Sequence, residues 1–370
     1  MMISSREIPQ FVETGFASAK YHKFMLDAIE DRISKFSGGK LYLEVGGKFL
    51  TDTTAARILP GYDPFAKKEL FLEFVEDLEI LFCVSSRDIV GNRQLRSEKT
   101  NFVDEVEKMI SDIEKELGVK PQVVLNLLDP FSLDDRVADF EKLLQRKNIR
   151  VWQRYAIDGY PEDLETILSE DGFGQDDHIP LEKNLVLVTG VASSSGKLST
   201  CLGQIFQDAQ LGMQSGYAKL ELFPIWNLVP EHPVNLAYEA ATADLGDRVL
   251  ADERHLEAHG IDATNYNRDI EAFEILEEMV AEFAEDGNFL KSYQSPTDMG
   301  INFAGFAIED EELVAVAAVA EIRRRKIRYE NVASEAKIYE IAARRCAELL
   351  EKAEEFCEEQ GFDLDRPLER

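Results

Sequence analysis

Four cysteines in 370 residues, at 83, 201, 346 and 357, are too few and too widely spaced for a zinc knuckle, a redox pair or a disulfide framework. They read as reduced structural thiols. Histidine is nearly as scarce, at five. Only His255 and His259 stand one helical turn apart, and with a single acidic neighbour such a pair is weak ground for a metal. No apolar run reaches the ~18 residues of a membrane-spanning helix. Met1 to Lys20 lack the basic stretch followed by an apolar stretch that marks a secretory leader. A cytoplasmic location is therefore the expectation. The largest deficit is in positive charge: 41 basic residues face 71 acidic ones, for a net charge of −30. Such a field repels nucleic acid and anionic membrane surfaces, so neither is expected as a partner. A local basic pocket for a small phosphorylated ligand remains compatible with it.

What is present alternates between two periodicities. Apolar positions at Phe24, Met25, Ala28, Ile29, Ile33 and Phe36 predict a helix over 20–36. LYLEV (41–45), LEILFCV (78–84), QVVLNLL (122–128) and IRVWQRYAI (149–157) predict strands, with helices over 102–117 and 134–147 between them. SEDGFGQDDHIP (169–180) has the glycines, acids and proline of an exposed connection. LVLVTG (185–190) then restarts the alternation, followed by a helix to about Leu211 and a strand over 216–223. Helices near 233–244 and 268–285, an irregular stretch over 291–306, and long helices over 311–330 and 334–360 complete the chain. Strands alternating with helices predict α/β architecture with mostly parallel sheets. The expected organisation is two Rossmann-like three-layer domains, 1–175 and 176–310, with a helical C-terminal segment, 311–370.

TGVASSSGKLST (189–200) is the motif with a chemical mechanism. A buried strand ending in a glycine-bearing turn that opens a helix gathers backbone N–H groups around one point, where the helix dipole favours an anion. Gly190 permits the turn, Gly196 lets the backbone approach a phosphate, and Lys197 supplies a charge. Ser193, Ser194 and Ser195 offer further donors. The standard loop has four residues between its glycines and a hydroxyl directly after the lysine. Here five residues separate Gly190 from Gly196, and Leu198 follows Lys197. The usual magnesium contact thus falls to Ser199 or Thr200. A five-residue spacer resembles the variant phosphate loops of dethiobiotin synthetase-like enzymes. The alternative is a serine-capped helix with Lys197 on the surface.

Other stretches carry candidates. In SPTDMG (295–300), Asp298 is a carboxylate for Mg²⁺ or for a proton, or else a turn residue. In NYNRD (265–269), Arg268 is a phosphate clamp or half of a surface ion pair. Asn235, Glu239 and Thr242 share a helical face, for which a solvated face is the simpler account. Gly46-Gly47-Lys48 directly follows a strand, with Arg57 nearby. It reads as a second anion pocket or, more simply, a tight turn. The basic run IRRRKIR (322–328) is expected to meet acidic surface of a second copy, or to be a solvated face.

The loop at 189–200, EVGGKFLTDTTAARILPGYDP (44–64), FPIWNLVPEHPVNLAYEAATADL (223–245) and YQSPTDMGINFAG (293–305) resemble the bacterial and archaeal family called domain of unknown function 1846. The resemblance spans about 40 to 310. Its members carry a glycine-proline loop ending in Gly-Ser-Gly-Lys, where this chain has Ser193-Ser194-Ser195-Gly196-Lys197. Members continue into a further C-terminal domain, expected to be shortened or missing here. Some are labelled ATP-dependent peptidases. This chain has no HExxH helix and no Ser/His/Asp set, so that activity is not expected.

The leading expectation is a nucleotide-dependent enzyme. Lys197 and the loop amides would hold the phosphates of ATP or another NTP, with Asp298 or Asp244 placing Mg²⁺. A second is a non-hydrolysing sensor that binds a phosphorylated metabolite and forms a homo-oligomer through its C-terminal helices. A third is a metal-independent sugar-phosphate enzyme built on the same loop.

Overall fold

Runs such as LVLVT have no polar face to give to water, so they belong inside a sheet covered on both sides. The computed structural model, which describes residues 9–91, 101–192 and 194–369, places them there. Nine strands form among the described residues: β1 Leu41–Val45, β2 Leu78–Ser85, β3 Gln122–Leu128, β4 Val151–Tyr155, β5 Leu185–Thr189, β6 Gly216–Leu220, β7 Val249–Ala251, β8 Thr264–Tyr266 and β9 Gly300–Ile301. Seven make one sheet in the order β4-β3-β2-β5-β1-β6-β9, and every pairing in it is parallel. All five residues of β1 and of β5 are buried. The α/β class is as expected.

The division at 175/176 does not separate two sheets. β1, from one side of it, lies between β5 and β6, from the other. With its side chains buried on both faces, β1 cannot stand at an edge, and strands far along the chain supply its neighbours. The antiparallel β7–β8 hairpin has no signature in the sequence, because three-residue strands are too short to show alternation.

The C-terminal segment joins the same core. The helices Glu311–Val332 and Lys337–Gln360 pack on each other and on the helix Pro233–Ala241. Val314, Ala315, Ala318, Val319 and Ile322 are fully or almost fully buried in that core. The basic run finds its acids within the chain. Arg323 pairs with Glu354, Arg324 and Arg325 with Glu321, and Lys326 with Glu330.

Asn235 and Glu239 are not a solvated face; both are buried. The Asn235 side chain accepts from the Ile225 amide at 2.7 Å and donates to the carbonyls of Ile225 and Val229. Glu239 accepts from the Val249 amide and from Arg345, tying its helix to β7 and to the last helix. Polar residues in phase on a helix look alike in sequence whether water or buried backbone satisfies them.

Close packing at the start of β6 yields a test. A Cβ on Gly216 would lie 2.0 Å from the ring of Phe36, which packs edge-on against Phe289. Gly216→Ala should lower stability by ~1–3 kcal/mol, the usual cost of overpacking a filled core, as read by chemical denaturation.

Candidate functional site

From β1 to β2 the chain moves along the sheet one way, and from β5 to β6 it moves the other way. Right-handed connections therefore put the helix Thr53–Ile58, after β1, and the helix Lys197–Gln210, after β5, on opposite faces. Neighbouring parallel strands whose exits diverge leave a crevice at their carboxyl ends, where open α/β sheets bind ligands. The two exit loops touch at its floor. A Cβ on Gly47 would lie 2.7 Å from the Gly190 carbonyl oxygen, and one on Gly190 would lie 2.6 Å from the Cys83 carbonyl oxygen and from Ser195 Oγ. Bare backbone is required on both sides.

The β5 loop ends at Gly196, in the left-handed region with φ +86, where a Cβ would come within 2.8 Å of Asn126. Gly196 caps the helix Lys197–Gln210, and among the described residues no side-chain cap accepts from the amides that open it. Those amides and the dipole behind them leave roughly half a positive charge at the loop. The hydroxyls of Thr189 and Ser195 are buried and, among the described residues, have no hydrogen-bond partner. Ser194 is exposed on the loop; Ser193 lies outside the described residues. Lys197 is buried rather than on the surface. Its ammonium sits 3.5 Å from the Ala192 carbonyl oxygen and 3.5 Å from Glu44 Oε1. Glu44 Oε2 in turn accepts from the Tyr217 hydroxyl at 3.0 Å.

Thr200 does not stand ready for a metal. Its hydroxyl donates to the Gly196 carbonyl at 2.8 Å, while Asn126 Nδ2 at 3.2 Å and the Cys83 thiol at 3.4 Å donate to it. A threonine one turn into a helix bonds back to the helix backbone unless a ligand competes. The Ser199 hydroxyl lies 3.5 Å from Arg154, which is itself paired with Asp176.

A second group of cations joins residues just after β1 to one far along the chain. Lys48 Nζ, Arg57 Nη2 and Arg325 Nη2 converge on the hydroxyl oxygen of Thr54 at 3.2, 3.3 and 3.1 Å. A hydroxyl oxygen has two lone pairs, so three cationic donors oversubscribe it. Lys67 adds a fourth cation, paired with Asp52 at 2.9 Å. Behind them, Glu321 bonds Arg57, Arg324 and Arg325 at 3.1, 2.6 and 2.8 Å. Burial alone would push the Glu321 carboxyl up. The hydrogen bonds from Arg324 and the charges of Arg325 and Arg57 override it and bring it down to about 2. The Lys48 ammonium is pushed below the ordinary lysine value, by desolvation first, with the charges of Arg325, Lys67 and Arg57 adding and Asp52 opposing. In a chain of net charge −30, this is a local positive field. In sequence, Lys48 and Arg57 read as an anion pocket or, more simply, a tight turn; Arg325, 271 positions from Thr54, is not among the candidates for it.

The remaining candidates lie elsewhere. Asp244 accepts from the Tyr329 hydroxyl at 2.9 Å, so its carboxylate serves the contact with the helix Glu311–Val332. Arg268 lies 3.5 Å from Asp247 and stacks over the Tyr266 ring, as a partly exposed ion pair. Asp298 groups with His255 and His259 beyond β6 and β9, and neither Lys197 nor Thr200 is among its contacts. Asp244, Arg268 and Asp298 thus have partners other than Lys197 and Thr200 among the described residues.

The family model for domain of unknown function DUF1846, N-terminal, matches residues 14–354. A UPF0371 protein of Corynebacterium efficiens is 43% identical over 317 residues, covering 85% of this chain and 62% of its own length. A UPF0371 protein of Streptococcus thermophilus is 42% identical over 311 residues, covering 84% and 61%, and one of Streptococcus pneumoniae is 41% identical over the same length. The chain therefore spans about 62% of the length of such relatives.

The arginine-bound carboxylate gives a pH-dependent prediction. Because the Glu321 carboxyl falls from its ordinary 4.5 to about 2 in the folded chain, its pairing stabilises fully above pH 4.5 and is lost as the pH falls toward 2. Glu321→Gln should cost about 3 kcal/mol at pH 7. The gap from the unmodified protein should narrow below pH 4.5, as measured by denaturant titrations at several pH values.

Proposed function

We propose, for a chain that belongs to the family of domain of unknown function 1846, that the crevice between β1 and β5 binds a phosphorylated small molecule. The observation that carries this reading is the convergence of Lys48, Arg57 and Arg325 on one neutral hydroxyl, Thr54. Three cationic donors around an uncharged oxygen are the surroundings a phosphate group would satisfy, with its greater charge and larger number of acceptor sites. The open end of the helix Lys197–Gln210 adds backbone donors, and Lys197 adds charge once a ligand draws it from Glu44.

Two occupants share this chemistry. One is a nucleoside triphosphate with Mg²⁺, which would make the site a phosphoryl-transfer or ligase centre. The other is a sugar phosphate or similar metabolite held without metal. The engagement of Thr200 by Asn126 and Gly196 supports the second, because it occupies one of the two hydroxyls that would stand in for the one absent at Leu198.

Thermal-shift measurements over ATP and GTP with Mg²⁺, inorganic phosphate and a panel of sugar phosphates test the reading. At a hundred times its dissociation constant, a true ligand adds ~2.7 kcal/mol of stability. Lys48→Ala and Lys197→Ala should each abolish the shift without unfolding the chain. Stabilisation by nucleotides accompanied by phosphate release identifies the first occupant, and stabilisation by sugar phosphates alone identifies the second. A panel that shifts nothing, or shifts that survive both substitutions, removes the proposal.

A further inference from the structure

At the far end of the sheet a second group of side chains forms a site of different chemistry. His255 and His259 stand one turn apart on the helix Glu253–His259, with ring centroids 4.6 Å apart. Asp298, from the short helix Pro296–Met299, reaches both: Oδ2 is 3.0 Å from His259 Nε2, and Oδ1 is 3.7 Å from His255 Nδ1. One ligand atom from each of the three lies within 4.8 Å of the others. Metal–ligand bonds of ~2.1 Å at octahedral or tetrahedral angles separate neighbouring ligand atoms by ~3.0–3.4 Å. The His259–Asp298 separation lies at the lower end of that range, and the His255–Asp298 separation, to the other carboxylate oxygen, a few tenths of an ångström beyond it.

We propose that His255, His259 and Asp298 bind one divalent transition-metal ion at the edge of the adjoining pocket. Two imidazoles and one carboxylate are a donor set for zinc or for ferrous iron, whereas Mg²⁺ and Ca²⁺ prefer all-oxygen ligands. This inference does not depend on the occupant of the β1–β5 crevice.

The elements that carry the three ligands are locked together before any ion arrives. Asp252 caps the histidine helix, its Oδ1 accepting from the His255 amide at 3.0 Å. Its Oδ2 accepts from both the amide and the hydroxyl of Thr297, at 3.1 and 2.7 Å, next to Asp298. The Gln294 amide donates to Asp298 Oδ2 at 2.9 Å, and Arg32 donates to the Asp298 carbonyl at 3.2 Å. Such outer contacts orient ligands and hold a site open for its ion. The Ser295 hydroxyl, 2.8 Å from His255 Nδ1, and the His259–Asp298 hydrogen bond are the interactions an incoming ion would replace. On entry, the proton shared between His259 Nε2 and Asp298 moves to the other ring nitrogen or leaves to solvent.

Three protein ligands leave coordination positions open. His255 and Asp298 line a pocket of about 230 Å³ that also presents Glu221, Asn265, Asn302 and Trp226. An ion held there would face a cavity large enough for a small ligand and lined by further acceptors and donors, as in catalytic rather than closed structural sites.

Protein stripped with a chelator and titrated by calorimetry with Zn²⁺, with Mg²⁺ as comparator, tests the proposal. Co²⁺ uptake followed by visible absorbance reports the ligand set. Zn²⁺ should bind at one equivalent, and Mg²⁺ should not compete. His259→Gln and Asp298→Asn should each weaken Zn²⁺ binding by ~100-fold or more, beyond the ~10–100-fold lost when only an outer contact is removed. His259 is about one-third exposed, so its replacement should leave the metal-free melting curve unchanged. His178→Gln, on a histidine paired instead with Asp208, should bind as the unmodified protein does. Absence of stoichiometric binding, unchanged affinity in His259→Gln, or an equal loss in His178→Gln overturns the assignment.

Discussion

Parallel pairing of β1 with β5 on one edge and with β6 on the other is the constraint from which the rest of this structure follows. It places two strands with diverging exits side by side, the arrangement at whose carboxyl ends open α/β sheets bind ligands. It also sets Glu44 opposite Lys219 in register, one residue before the end of β1. Glu44 holds Lys197 and accepts from Tyr217, while Lys219 holds Asp269 and Glu221. A line of buried and half-buried alternating charge thus runs across the sheet from the loop after β5 to the wall of the pocket beyond β6.

Placing charge inside a protein is costly unless each group finds a partner, because the low-dielectric interior replaces water poorly. Among the described residues, Lys48, Lys67, Arg57, Arg324 and Arg325 stand around Glu321 and Asp52, more cations than carboxylates. In a chain whose acids outnumber its bases by 30, a local surplus of positive charge at a strand-end crevice runs against the overall field.

The C-terminal helices belong to this arrangement. The helix Glu311–Val332 is apolar along its first half and enters the core there. Its second half then delivers Arg325 to Thr54 and Glu321 to Arg57. A run that reads as a surface patch contributes to a wall of the crevice. The same double use appears on the other side, where one carboxylate, Asp252, both caps a helix and anchors the turn bearing Asp298.

Periodicity alone determined the major helices, the buried parallel strands and the turn at Gly190 to Gly196, because each depends on residues a few positions apart. It also marked Lys48, Arg57, Asp298 and the spacing of His255 and His259, without saying what they face. Strand order and partners were decided only by tertiary structure. The tertiary structure seats β1 between strands from beyond residue 175, buries Asn235 and Glu239, and gives Thr200 to Asn126. It also brings Arg325 across 271 positions to Thr54 and sets Asp298 beside two histidines. The physical reason is that side-chain chemistry acts over a few ångströms, and distance along a chain says little about which groups come that close once a sheet has chosen its order.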